Sequence, residues 1–125
     1  MGQRMCQQQQ KRPLPDVDAA VRAIAHPLRR EILKWLKAPL LYFPSQERDV
    51  DRGICVGQIT QRSGLSQSTV SQHLAVLKQA ALVEVCRTGP FHFYRRNEAA
   101  VAALAYSLRD QLQNELGHPS QLPAP

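Results

Sequence analysis

Three cysteines and four histidines in this 125-residue sequence are candidates to ligate a metal, attack a substrate or change redox state: Cys6, Cys55 and Cys86, with His26, His73, His92 and His118. Metal sites and nucleophile–base pairs need several such groups converging, which a sequence usually shows as a close pair or cluster. None of the four histidines has that spacing, and the three cysteines are an odd count without a close pair. The expectation is no metal, no cofactor and no enzymatic centre. Cys55 lies in "GICVGQI", between Ile54 and Val56, and Cys86 follows Val85. Both read as small packing residues; the alternative is a thiol switch, which would need the two within bridging reach. Without a disulfide framework, the reducing cytoplasm is the expected compartment. No run reaches the roughly 18 apolar residues of a membrane span. The opening "MGQRMCQQQQKRP" also lacks the apolar centre of a secretory signal.

A different chemistry is concentrated in "ITQRSGLSQSTVSQHLAVLKQAALV", residues 59–83. Gln67, Ser68, Thr69, Ser71 and Gln72 are short hydroxyls and amides packed into two helical turns. On a helix laid in a DNA major groove, such groups reach base edges and phosphates. His73 follows them on the same helix as a further candidate contact, and Arg62 and Lys78 flank the helix as cations. Arg87, Arg95 and Arg96 lie around a second segment, "RTGPFHFYRRN", where they would meet the phosphate backbone or the minor groove. The overall balance agrees: 16 Lys and Arg against 10 Asp and Glu give a charge of +6 and favour an anionic partner.

The elements that must position these groups are readable from periodicity. Val17, Ala20, Val21 and Ile24 recur at helical spacing after Asp16, a good N-cap. Pro27 suits the first position of a second helix whose apolar face is Leu28, Ile32, Trp35 and Leu36. "VGQITQRSG" reads as a short helix stopped by Gly64, and Ser66 caps the next, with Val70, Leu74 and Leu77 turned inward. Two helices joined by a short glycine-containing turn are the signature of the helix-turn-helix. "LVEVCR" and "FHFYRRN" alternate as two strands around a "TGP" turn. A last helix runs from the cap Asn97 to Gly117, with Val101, Leu104, Leu108, Leu112 and Leu116 along one face. The order is α-α-loop-α-α-β-β-α, mainly helical with a small β-hairpin wing: a winged helix-turn-helix. In that fold a short strand before the third helix often joins the wing sheet, which could bring Cys55 toward Cys86.

The domain is expected to span 16–117. Residues 1–15, with "QQQQ" and three basic residues, and 118–125 read as tails. Residues 38–53, "APLLYFPSQERDVDRG", read as a connector that is long for a compact domain. Its Leu40, Leu41, Tyr42 and Phe43 fit a packed loop, a small-molecule pocket or an interface.

Three stretches, "AIAHPLRREILKWL", "ICVGQITQRSGLSQSTVSQHLAVLKQAALV" and "TGPFHFYRRN", resemble the bacterial ArsR-type (ArsR/SmtB) winged-helix repressors over about residues 17–115. The resemblance implies a homodimer that binds a palindromic double-stranded operator, represses a nearby gene and lets go when an inducer binds. Metal-sensing members carry two thiolates, "CVC", where this chain reads Cys55-Val56-Gly57, and others use Asp, His and Glu ligands on the last helix, which here has no histidine. Metal sensing is therefore not expected, and the inducer is unknown. The apolar stripe on the last helix independently suggests a twofold partner. A thiol or small-molecule sensor using Cys55, Cys86, Tyr42 or Phe43, or a winged helix that binds another protein, are the alternative readings.

Overall fold

Four helices of the computed structural model, which describes residues 16–44 and 51–114, begin at a side chain that takes up an otherwise unpaired amide. Asp16 Oδ1 accepts from the amides of Asp18 and Ala19 at 3.0 and 3.3 Å, opening α1 (Val17–Ala23). His26 Nδ1 accepts from the Leu28 amide at 3.1 Å, and Pro27 opens α2 (Pro27–Lys37). Ser66 Oγ accepts from the Thr69 amide at 3.2 Å, and Asn97 Oδ1 accepts from Ala100 at 3.2 Å. These caps open α5 (Gln67–Gln79) and α6 (Glu98–Leu112).

Between α2 and α5 lie α3 (Pro39–Tyr42), β1 (Ile54–Cys55) and α4 (Val56–Ser63); β2 (Val83–Thr88) and β3 (Phe91–Arg96) precede α6. The sheet is antiparallel in the order β1-β3-β2. Ile32, Ile54, Ile59, Val70, Leu74, Leu77 and Leu82 are wholly buried, so α2, α4, α5 and both sheet edges share one core. Among the described residues no helix is long and apolar enough to cross a membrane.

Two chain reversals set the geometry. Gly53 has φ +114°, and a Cβ there would stand 2.4 Å from the Tyr94 carbonyl oxygen, so only glycine lets β1 approach β3. At the end of α5, Ala81 takes φ +64°. Its amide donates to Lys78 O and that of Leu82 to Leu77 O, both at 2.9 Å, the Schellman pattern without its usual glycine. Leu82 and Leu77, both fully buried, supply the apolar contact that goes with that motif.

Several expectations are corrected. Residues 38–53 are not irregular from their start: Pro39 begins a single helical turn, and Phe43 behind it is 3% exposed in the core. The last helix ends at Leu112, capped by Gln113, and Leu112 is 79% exposed, outside the core face formed by Ala100 and Leu104. Leu116, Gly117, Cys6 and the proposed tails 1–15 and 118–125 lie outside the described residues. β1 does join the sheet, but against β3: Phe93 pairs with Cys55 on one side and Cys86 on the other. Two strand spacings, about 10 Å, therefore separate the two cysteines, beyond the roughly 7 Å between Cα atoms that a disulfide spans. Cys86 is buried, and Cys55 is not bonded to it.

Candidate nucleic-acid interface

Gly64, with φ +74°, ends α4 and turns the chain into α5 through Leu65 and Ser66. The two helices meet through fully buried Ile59, Val70, Leu74 and Leu77, so packing fixes which face of α5 looks out. That outer face carries Gln67, Ser68 and Gln72 exposed, with Thr69, Ser71 and His73 half-buried at its margins. Ser66 Oγ also donates to Thr69 Oγ1 at 3.0 Å and lies 3.4 Å from Ser68 Oγ, so one hydroxyl orders the first turn. Lys78 projects exposed from the last turn.

His73 ties this helix to α2. Its Nδ1 accepts from Arg29 Nε at 3.1 Å, its ring centroid lies 4.5 Å from that of His26, and Arg29 also donates to Ala23 O at 3.3 Å. Burial, reinforced by His26 and Arg29, lowers the His73 pKa from 6.5 and favours the neutral acceptor this geometry uses. Neither His26 nor Arg29 was expected at this junction. Helical spacing alone places them on one turn of α2, but nothing local joins them to a residue 44 positions away.

Three of the expected DNA-contacting cations are engaged elsewhere. The Arg62 guanidinium lies over Tyr42, Trp35 and Phe43, 4.8, 5.4 and 5.9 Å from the ring centroids, and donates to the Tyr42 carbonyl at 3.2 Å. It clamps α4 onto α3, and Tyr42 and Phe43 are the walls of that clamp. Arg95 Nε meets Glu84 Oε1 at 3.2 Å and its second nitrogen donates to Asp51 O at 3.0 Å, which fastens the base of the hairpin. Arg96 likewise pairs with Glu98 at 2.8 Å and donates to Leu33 O. Arg87 remains exposed on β2. Among the described residues no group of three or more His, Cys, Asp or Glu is placed to hold a metal.

Comparison with known proteins agrees with this arrangement. Residues 51–85 match the family described as "Bacterial regulatory protein, arsR family". The HTH-type transcriptional regulator YbzH of Bacillus subtilis, itself uncharacterized, is 38% identical over 93 residues, covering 73% of this chain and 93% of that protein. A biofilm growth-associated repressor of Xylella fastidiosa is 30% identical over 93 residues, covering 74% of this chain and 70% of the repressor. The solution structure of a homodimeric winged helix-turn-helix DNA-binding domain from Mycobacterium bovis superposes with a TM-score of 0.54 at 23% identity. That match covers 79% of this chain and 87% of the other and fixes the fold as a winged helix-turn-helix.

Proposed function

This chain belongs to the arsR family of bacterial regulatory proteins, and from that premise we propose that it is a cytoplasmic, homodimeric repressor of a palindromic DNA operator, released by an inducer. It is a DNA-binding transcriptional regulator and not an enzyme. The observation that carries the finer reading is the two-sided character of α5: three wholly buried apolar residues beneath, and Gln67, Ser68 and Gln72 exposed on its first two turns above. Gln67, Ser68, Ser71 and Gln72 are the side chains for base edges; Thr69, His73, Lys78 and Arg87 are those for phosphates.

Support for a dimer comes from α1 and α6, which leave Val21, Tyr106 and Leu112 38, 68 and 79% exposed. A twofold mate would cover them, as the M. bovis domain is homodimeric. Paired reading helices would then address half-sites roughly 34 Å apart. The test is selection of bound sites from random DNA, followed by titration at several salt concentrations and sedimentation at micromolar protein. The expected result is an inverted repeat, an affinity that falls steeply with salt, and a dimer. A monomer that selects no sequence refutes the proposal.

A further inference from the structure

The hairpin was expected to meet DNA through arginines, yet two of its three are held internally. Arg95 is paired with Glu84 and the Asp51 carbonyl, and Arg96 with Glu98 and the Leu33 carbonyl. Arg87 is left, two residues before Gly89, where the turn begins. The tip itself, Thr88-Gly89-Pro90-Phe91, carries no charge. What it does carry is an exposed aromatic ring. Phe43 and Phe93 are 3 and 6% exposed, but Phe91 is 53% exposed.

Phe91 is also held in place. It opens β3 directly opposite Thr88, after Gly89 turns the chain at φ +58° and Pro90 restricts it further. Its ring sits 6.2 Å from that of Phe93, which lies in turn 5.6 Å from the Arg52 guanidinium. The buried aromatic thus backs the exposed one, and the exposed one projects at the hairpin's end. Proteins that read the minor groove commonly press such an apolar side chain between base steps, and flexible pyrimidine–purine steps open most easily.

We propose that Phe91 is the wing's DNA contact: an apolar wedge that enters the minor groove flanking each half-site and selects for a deformable base step, with Arg87 on the adjoining phosphate. This rests on the DNA-binding reading above and adds a specificity-determining residue to it. An apolar wedge releases no counterions, so its removal and that of Arg87 leave different signatures.

The full-length protein and its F91A, F91L and R87A variants would be titrated on the selected operator from low to high salt. F91A should weaken binding by about 10-fold at every salt concentration with an unchanged slope, whereas R87A should lower the slope by about one. F91L, which keeps an apolar wedge, should recover most of the loss. Selection with F91A should return sites whose flanking steps have lost their preference, while the half-site sequence read by α5 persists. 2-Aminopurine at the flanking step should brighten with wild type and not with F91A. F91A binding within twofold of wild type overturns the wedge alone, as does loss of the dimer on sedimentation, which would place Phe91 in a protein interface. A wild type that selects no DNA overturns the underlying reading and the wedge with it.

Discussion

Replacing Arg62 with alanine should weaken the fold and leave DNA binding untouched. The guanidinium faces three rings at 4.8, 5.4 and 5.9 Å and one carbonyl at 3.2 Å. A cation stacked at an exposed site contributes about 0.5–1 kcal/mol, and three rings sharing one cation do not add fully, so the stack is worth about 1 kcal/mol. The hydrogen bond from a charged donor adds up to about 1 kcal/mol once solvent competition is allowed for. The expected loss is therefore about 1–2 kcal/mol, or about 4–8 °C in Tm for a chain of this size. Trp35 is the sequence's single tryptophan and one wall of the clamp, so its fluorescence during urea unfolding reports both the site and the stability. R62K should recover less than half of the loss, because an ammonium keeps the charge but not the plane that stacks. R62A should keep the wild-type dependence of operator affinity on salt. An R62A protein of wild-type stability whose salt slope has fallen by about one would refute the clamp and restore Arg62 as a phosphate contact.

Other perturbations test the frame around the reading helix. Asn97 is 7% exposed, caps α6 and donates from Nδ2 to the Ala81 carbonyl at 3.0 Å. N97A should cost about 2–3 kcal/mol in urea unfolding, a lost cap plus a carbonyl left without its donor, and an N97D protein as stable as wild type would discount the donor. Ala81 pays for its left-handed φ of +64°, so A81G should stabilise by about 0.5–1 kcal/mol, the relief exceeding the added chain entropy; a fall in Tm would contradict this. The folded-state pKa of His73 lies below 6.5, so the unfolded chain takes up the proton first. Stability from this group is complete above pH 6.5 and is lost as the pH falls toward the folded value. Urea midpoints between pH 7.5 and 5 should show that fall, reduced in H73N; stability that rises on acidification would overturn the neutral-acceptor assignment.

What the sequence reveals about this protein follows the range of the interactions involved. Asp16, Ser66 and Asn97 act on amides two or three residues away, and the Val70, Leu74 and Leu77 stripe repeats within one helix, so local pattern suffices to find them. The stop at Ala81 escapes the same reading because an alanine in a glycine's place carries no signal. Its cost is borne by Leu82, whose burial is decided by the tertiary core. β1 could be anticipated as an extra strand, but not its neighbour, since period-two alternation says nothing about order within a sheet. One strand of error there turns a bridgeable pair of cysteines into a pair flanking Phe93.

Charge is where local pattern misleads most. A net +6 and a run of arginines near a hairpin suggest a cationic wing, yet a guanidinium serves equally well on a phosphate, a carboxylate, a carbonyl or an aromatic face. Glu84, Asp51 and Glu98 decide the matter for Arg95 and Arg96, and the ring cluster decides it for Arg62. Each of those partners comes into reach only once the chain is folded, apart from Glu98, two residues from Arg96. The polar residues of α5 escape this ambiguity for a physical reason. Gln67, Ser68 and Gln72 stand on the face opposite a closed apolar stripe, where the fold itself leaves them turned to solvent and open to a partner. Amphipathic periodicity therefore locates a reading face more securely than a count of cations does.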